Sequence, residues 1–145
     1  PPTSALHSCL CMGAGVTWHE GWRKGAPDKK IVGVVGDSTF VHSGVTGLIN
    51  AVYNKAKGVI LILDNSTTAM TGGQQHPGTG LTIRNEPTKR LILEDLCRAC
   101  GADNVDVVDP MDVKAFAAIL EKRISEDALS VIVSRHPCRL LKRQV

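Results

Sequence analysis

Four short apolar runs punctuate the chain, at residues 31–35, 59–63, 105–108 and 129–133, each bounded by polar or turn-forming residues. Runs of this length with little alternation predict strands buried on both faces, as in parallel sheets. Between them the apolar positions recur near every 3.6 residues. After Asp37-Ser38-Thr39, a helical stripe runs through Phe40, Val41, Val45, Leu48, Ile49, Val52 and Tyr53. Gly44 and Gly47 weaken that helix by about 1 kcal/mol each relative to Ala. It is therefore expected to pack closely on something, such as a partner subunit. Ser38 and Thr39 sit at its N-cap. A weak helix leads to about residue 24, and another over 88–99 stops at Gly101, a good residue just past a helix end. A third, over 112–125, should bury Val113, Phe116, Ala117, Leu120 and Ile124. Strands alternating with helices predict an α/β fold with a mainly parallel sheet flanked by helices.

Length and composition narrow the class without changing that picture. The 145 residues fit one domain, 43% of them are hydrophobic, and the mean hydropathy of +0.01 reads as globular and soluble. No apolar run approaches the ~20 residues of a membrane helix, and no signal-peptide pattern opens the chain. The net charge of +3 is modest, and only two Trp, one Tyr and two Phe are present. A basic patch with interleaved aromatics is absent, which argues against nucleic-acid binding. The five cysteines, an odd count, suit a cytoplasmic setting. Cys97 and Cys100 form a CxxC on a helical pattern with no second pair at metal-site spacing, so they are expected to be ordinary packing or surface residues. Residues 1–8 read as a linker or the remnant of an upstream segment, 9–136 as the domain, and 137–145 as a basic tail. The opening Pro1-Pro2 suggests a piece of something longer.

Chemistry concentrates between residues 35 and 80. The first strand ends in Gly36-Asp37-Ser38 and the second in Asp64-Asn65, with a crossover of βαβ length between them. Ligands of open parallel sheets lie beyond the carboxyl ends of the strands. Asp37 and Asn65 would both face that crevice as oxygen donors suited to a hard cation, and Gly36 leaves room for a phosphate at the backbone. The loop over 65–86 is long for a structureless connection, which favours function. Thr67, Thr68, Thr71, Gly72, Gly73, Gln74, Gln75 and His76 supply it with hydroxyls, amides and backbone donors.

The stretches GDSTFVHSGVTGLINAVYNK and DNSTTAMTGGQQHPGTG resemble the thiamine diphosphate-binding domain of the alpha subunit in indolepyruvate ferredoxin oxidoreductases, members of the 2-oxoacid:ferredoxin oxidoreductase family. The resemblance covers roughly residues 9–141. It implies that Asp37, Asn65 (28 residues on) and the Thr67 carbonyl hold a Mg²⁺ that bridges the diphosphate. Gly36, Ser38, Thr39, Met70, Thr71 and Gly72 would line the cofactor. Met12, in a Met-Gly-x-Gly sequence 25 residues before Asp37, would support the folded cofactor between its rings, or else be a plain core Met. His42 and His76 become candidate catalytic residues, with a seam or solvated-loop histidine as the plainer alternative for each.

For the parent enzyme the resemblance implies oxidative decarboxylation of an aryl pyruvate such as indolepyruvate onto coenzyme A, with ferredoxin as electron acceptor. A beta subunit, iron–sulfur clusters absent from this segment, and a pyrimidine-binding domain carrying the activating Glu would complete it. The chain alone is expected to be catalytically inactive and to form a homo-oligomer. A subunit of a small thiamine diphosphate-dependent decarboxylase, or a non-catalytic assembly module, are the other readings.

Overall fold

Each apolar run becomes a strand in the computed structural model, which describes residues 6–141. The strands are β1 (Val32–Gly36), β2 (Gly58–Asp64), β3 (Asn104–Val108) and β4 (Leu129–Arg135). They form one sheet in the order β1-β2-β4-β3, parallel throughout, with Val34 opposite Leu61 and Leu61 opposite Ile132. Helices are α1 (Ala14–Gly25), α2 (Asp37–Thr39), α3 (Val45–Tyr53), α4 (Leu93–Ala99) and α5 (Val113–Ser125). A π-helical segment, Phe40–Gly44, joins α2 to α3. The larger core lies on one face of the sheet. There Ile60, Ile62, Val131 and Val133 meet Val16 of α1, Phe40, Leu48 of α3, and Leu93 and Cys97 of α4. The other face packs Val59, Leu61 and Ile132 against Ala115, Phe116, Ile119, Leu120 and Ile124 of α5.

Several expectations change in detail. β1 is an edge strand, and α5 does not extend over it, so Val32 and Val34 are 37% and 41% exposed rather than buried on both faces. The first helix begins only at Ala14, because Gly13 sits at φ 85, in the left-handed region. The second begins at Asp37 with Gly36 as its N-cap, so Ser38 and Thr39 lie inside it and cap nothing. Ile49 and Tyr53 leave the buried stripe and stand exposed. The two glycines serve a close approach within the chain itself: a Cβ at Gly47 would lie 3.0 Å from Val16 and Thr17 of α1.

Residues 88–92 are not helical, since the Leu91 N–H donates to Pro77 O and Arg90 Nε to Gly78 O. On α5 the half-buried stripe runs through Ala115 and Ile119, whereas Val113 and Ala117 are exposed. Asp112 caps that helix by accepting the Ala115 N–H at 3.0 Å. Cys97 is wholly buried, and burial pushes its thiol up to about 12. It behaves as a small core side chain.

Candidate functional site

The carboxyl ends of β1 and β2 are neighbours in register, Gly36 beside Leu63, so the residues that follow each strand meet. Asp37 opens the helical run after β1 and is 3% exposed. Its Oδ1 accepts the Ser38 N–H at 2.7 Å and its Oδ2 the Ser66 N–H at 2.9 Å. That second bond spans the two strand ends. It depends on a sharp turn after β2, where Ser66 adopts φ 60. The turn is held from both sides. Asp64 Oδ1 also accepts the Ser66 N–H, at 3.1 Å, and Asn65 Oδ1 accepts the Thr67 N–H at 3.2 Å. The Thr68 hydroxyl donates to Ser38 Oγ at 2.9 Å, closing the ring of contacts.

Asp37 and Asp64 are both buried at adjacent strand ends, yet they are compensated differently. Asp64 Oδ2 accepts Arg135 Nε at 2.6 Å, and the same guanidinium grips both oxygens of Glu94. Arg135 holds the Glu94 carboxyl below its ordinary range. Among the described residues no Lys or Arg pairs with Asp37. Beside the Asp64 carboxyl, with which it shares the Ser66 N–H, its ionisable neighbour is His76, 8% exposed, whose Nε2 lies 3.4 Å from Oδ2. Burial alone would raise the Asp37 carboxyl. The neighbouring His76 ring and the Ser38 N–H outweigh it and hold the group below its ordinary value, in the ionised form. A buried carboxylate without a full cation beside it is a costly arrangement unless something positive completes it.

The sequence-predicted residues therefore fall into two sets. Asp37, Ser38, Asn65 and Thr67 lie in one hydrogen-bonded cluster, with the His76 ring against Asp37. Met12, His42, Met70, Thr71 and Gly72 are exposed and outside it. Met12 precedes Gly13, which lies so close to the π-helical segment that a Cβ there would overlap Ser43 Oγ. His42 projects from that same segment. The 3₁₀ turn Ala69–Thr71 carries Met70, and Gly72 ends it at φ 117. Thr39 is half-buried within α2. A hollow of about 290 Å³ lies elsewhere, near Lys55, Gly101, Asn104 and Leu129 at the amino ends of the strands. It contains none of the residues above.

A buried Asp and an Asn-containing turn thus meet at two neighbouring strand ends of a parallel sheet, the side on which open sheets take their ligands. The sequence model of the family described as thiamine pyrophosphate enzyme, C-terminal TPP binding domain, matches residues 1–134. This chain belongs to that family.

Indolepyruvate oxidoreductase subunit IorA of Archaeoglobus fulgidus is similar to this TPP-binding domain, with 43% identity over 140 residues, 97% of this chain and 22% of the relative. The subunit of the same name from Pyrococcus horikoshii is 39% identical over 155 residues, covering 98% and 24%. The domain thus spans under a quarter of the length of these curated relatives. Among solved structures, a 2-oxoglutarate:ferredoxin oxidoreductase from Magnetococcus marinus superposes with a TM-score of 0.78 at 17% identity, over 87% of this chain and 45% of that one. A Rhodococcus jostii thiamine diphosphate-dependent 4-hydroxybenzoylformate decarboxylase gives 0.62 at 22% identity, over 87% and 23%. At these identities the two structures establish the fold.

The donor set of the TPP-binding domain fits a hard cation. The Asp37 carboxylate, the Asn65 amide and the Thr67 backbone supply oxygens, which suit Mg²⁺ better than a soft metal. A Cβ at Gly36 would meet nothing within 4 Å, so the backbone at the end of β1 opens onto free space where a diphosphate could approach. The sequence pattern did not point to Ser66, Glu94 and Arg135, nor to the pairing of Asp64 with Arg135. Asp64 was visible beside Asn65 at the strand end. Arg135 is its register partner on β4, a relation that only strand order reveals.

Proposed function

We propose that this domain holds the diphosphate of thiamine diphosphate through Mg²⁺ bound by Asp37, Asn65 and the Thr67 carbonyl. The observation that carries the reading is the buried, ionised Asp37, tied to the Asn65 turn and lacking any Lys or Arg partner among the described residues. Gly36, Ser38 and Thr39 would face phosphate oxygens, while Met12, Met70, Thr71 and Gly72 would line the rings. When bound, the cofactor supplies the electron sink for decarboxylating a 2-oxoacid. The chain's own part is to fix metal and diphosphate, to hold Asp37 ionised, and to present His42 from the π-helical segment toward substrate. Helical irregularities of this kind recur at functional sites.

The relatives named for indolepyruvate support an aryl 2-oxoacid as substrate. In the whole enzyme the proposed reaction is oxidative decarboxylation onto coenzyme A with ferredoxin as acceptor. A pyrimidine-binding domain, a beta subunit and iron–sulfur clusters would come from outside this chain. The test is a titration with thiamine diphosphate and Mg²⁺, carried to millimolar concentrations. Asp37→Ala removes the only carboxylate of the set and should abolish Mg²⁺-dependent binding. Binding as tight as in the unaltered chain would refute the metal assignment.

A further inference from the structure

His76 is placed by more contacts than a loop histidine needs. Its main-chain O accepts both the N–H and the hydroxyl of Thr79, each at 2.9 Å. The next residues are pinned as well, Pro77 O by the Leu91 N–H and Gly78 O by Arg90 Nε. The ring is fixed by Gly78 twice. The Gly78 N–H points at His76 Nδ1, 3.2 Å away, and a Cβ at Gly78 would come within 2.9 Å of His76 Cε1. Only a glycine lets the chain pass so close to the imidazole face.

The Gly78 contact also decides the tautomer. A backbone N–H can only donate, so Nδ1 must accept, and the ring proton resides on Nε2. That nitrogen is buried without a well-formed hydrogen bond, and Asp37 Oδ2 lies 3.4 Å from it. We infer that His76 is a positioning residue for Asp37: it presents Nε2–H to Oδ2 and so aims the carboxylate for the cation. This rests on the proposed Mg²⁺ role of Asp37. An outer partner of this kind fixes the angle at which a ligand meets its metal, here adding to the Ser38 and Ser66 N–H groups that already hold the two carboxylate oxygens. At 3.4 Å the contact falls short of a well-formed hydrogen bond and must shorten for His76 to act in this way.

Two measurements on the full chain test it. Long-range ¹H–¹⁵N correlation spectra should show His76 as the Nε2–H tautomer, and Asp37→Ala should shift its Nε2 resonance. An Nδ1–H form, or no response to Asp37→Ala, overturns the inference whether or not any metal binds. In Mg²⁺-dependent thiamine diphosphate titrations, His76→Leu should raise Kd about 10- to 100-fold. His76→Gln, which restores an amide N–H near the same point, should recover most of that loss. If Asp37→Ala abolishes binding while His76→Leu binds like the unaltered chain, the positioning role fails and the metal reading stands. If Asp37→Ala also binds normally, the metal reading itself fails. Should His76→Leu not fold, the tautomer measurement still decides.

Discussion

His19 is 1% exposed, and neither ring nitrogen makes a well-formed hydrogen bond. Burial lowers its pKa from 6.5; the nearby Glu20 carboxylate and the Ile31 carbonyl oppose this without reversing it, and Arg23 adds to it. Gly58 packs directly on the ring. The folded chain therefore keeps His19 neutral at a pH where the unfolded chain has begun to protonate it. Below about 6.5 the unfolded state binds more protons, so stability falls with pH until the folded value is passed. The urea midpoint should accordingly drop between pH 7.5 and 5.5, and His19→Gln should flatten part of that slope; equal slopes would mean another group is responsible. At this scale the sequence was legible where short motifs dominate. Gly36-Asp37-Ser38 and Asp64-Asn65 marked the site because both sit at strand ends. Pairs distant in sequence were not legible: Arg135 lies 71 positions from Asp64. The burial of His19 by Gly58 and Ile31 is likewise a product of tertiary packing.

The contact between α1 and β1 sets how close the helix lies to the sheet. A Cβ at Gly15 would lie 2.5 Å from the Val34 carbonyl oxygen, and one at Gly33 would lie 2.6 Å from the Gly15 carbonyl oxygen. Neither neighbour is a side chain that can turn away. Gly15→Ala should therefore push α1 outward and destabilise the fold by about 1–3 kcal/mol, read as a lowered urea midpoint. Because α1 also carries Val16 into the core beside Phe40, the shift would reach the helical run that begins at Asp37. An unaltered midpoint would show that the helix slides without cost. The elements themselves were readable from periodicity, all four strands within two residues of their observed ends. The failures have tertiary causes. Residues 88–92 keep a helical pattern but are drawn out by bonds to Pro77 and Gly78. The π-helical segment widens one turn where Phe40 and Gly44 turn inward, which a 3.6-residue stripe cannot anticipate.

For the molecule as a whole, the placement of the exposed residues bears on activity. The relatives named as oxidoreductases are more than four times as long as the matched segment. On this chain the proposed diphosphate and metal contacts are buried at Asp37 and Thr67, whereas Met12 and Met70, proposed to line the rings, are 69% and fully exposed. Rings held from one side keep much of their surface in water, so binding should be weak. The aminopyrimidine would lack the carboxylic acid expected from a separate domain, and the electrons released by decarboxylation would have no protein acceptor. Val32, Val34 and Leu63 add an exposed apolar strip on one face of the sheet, and such strips favour association. The chain alone is therefore expected to self-associate and to be catalytically silent. Sedimentation gives the first. For the second, indolepyruvate is supplied with thiamine diphosphate, Mg²⁺, coenzyme A and an artificial electron acceptor, and carbon dioxide release is followed. Turnover near the rate of an intact relative would show that one wall of the site suffices and that a base for the reaction lies within these 145 residues.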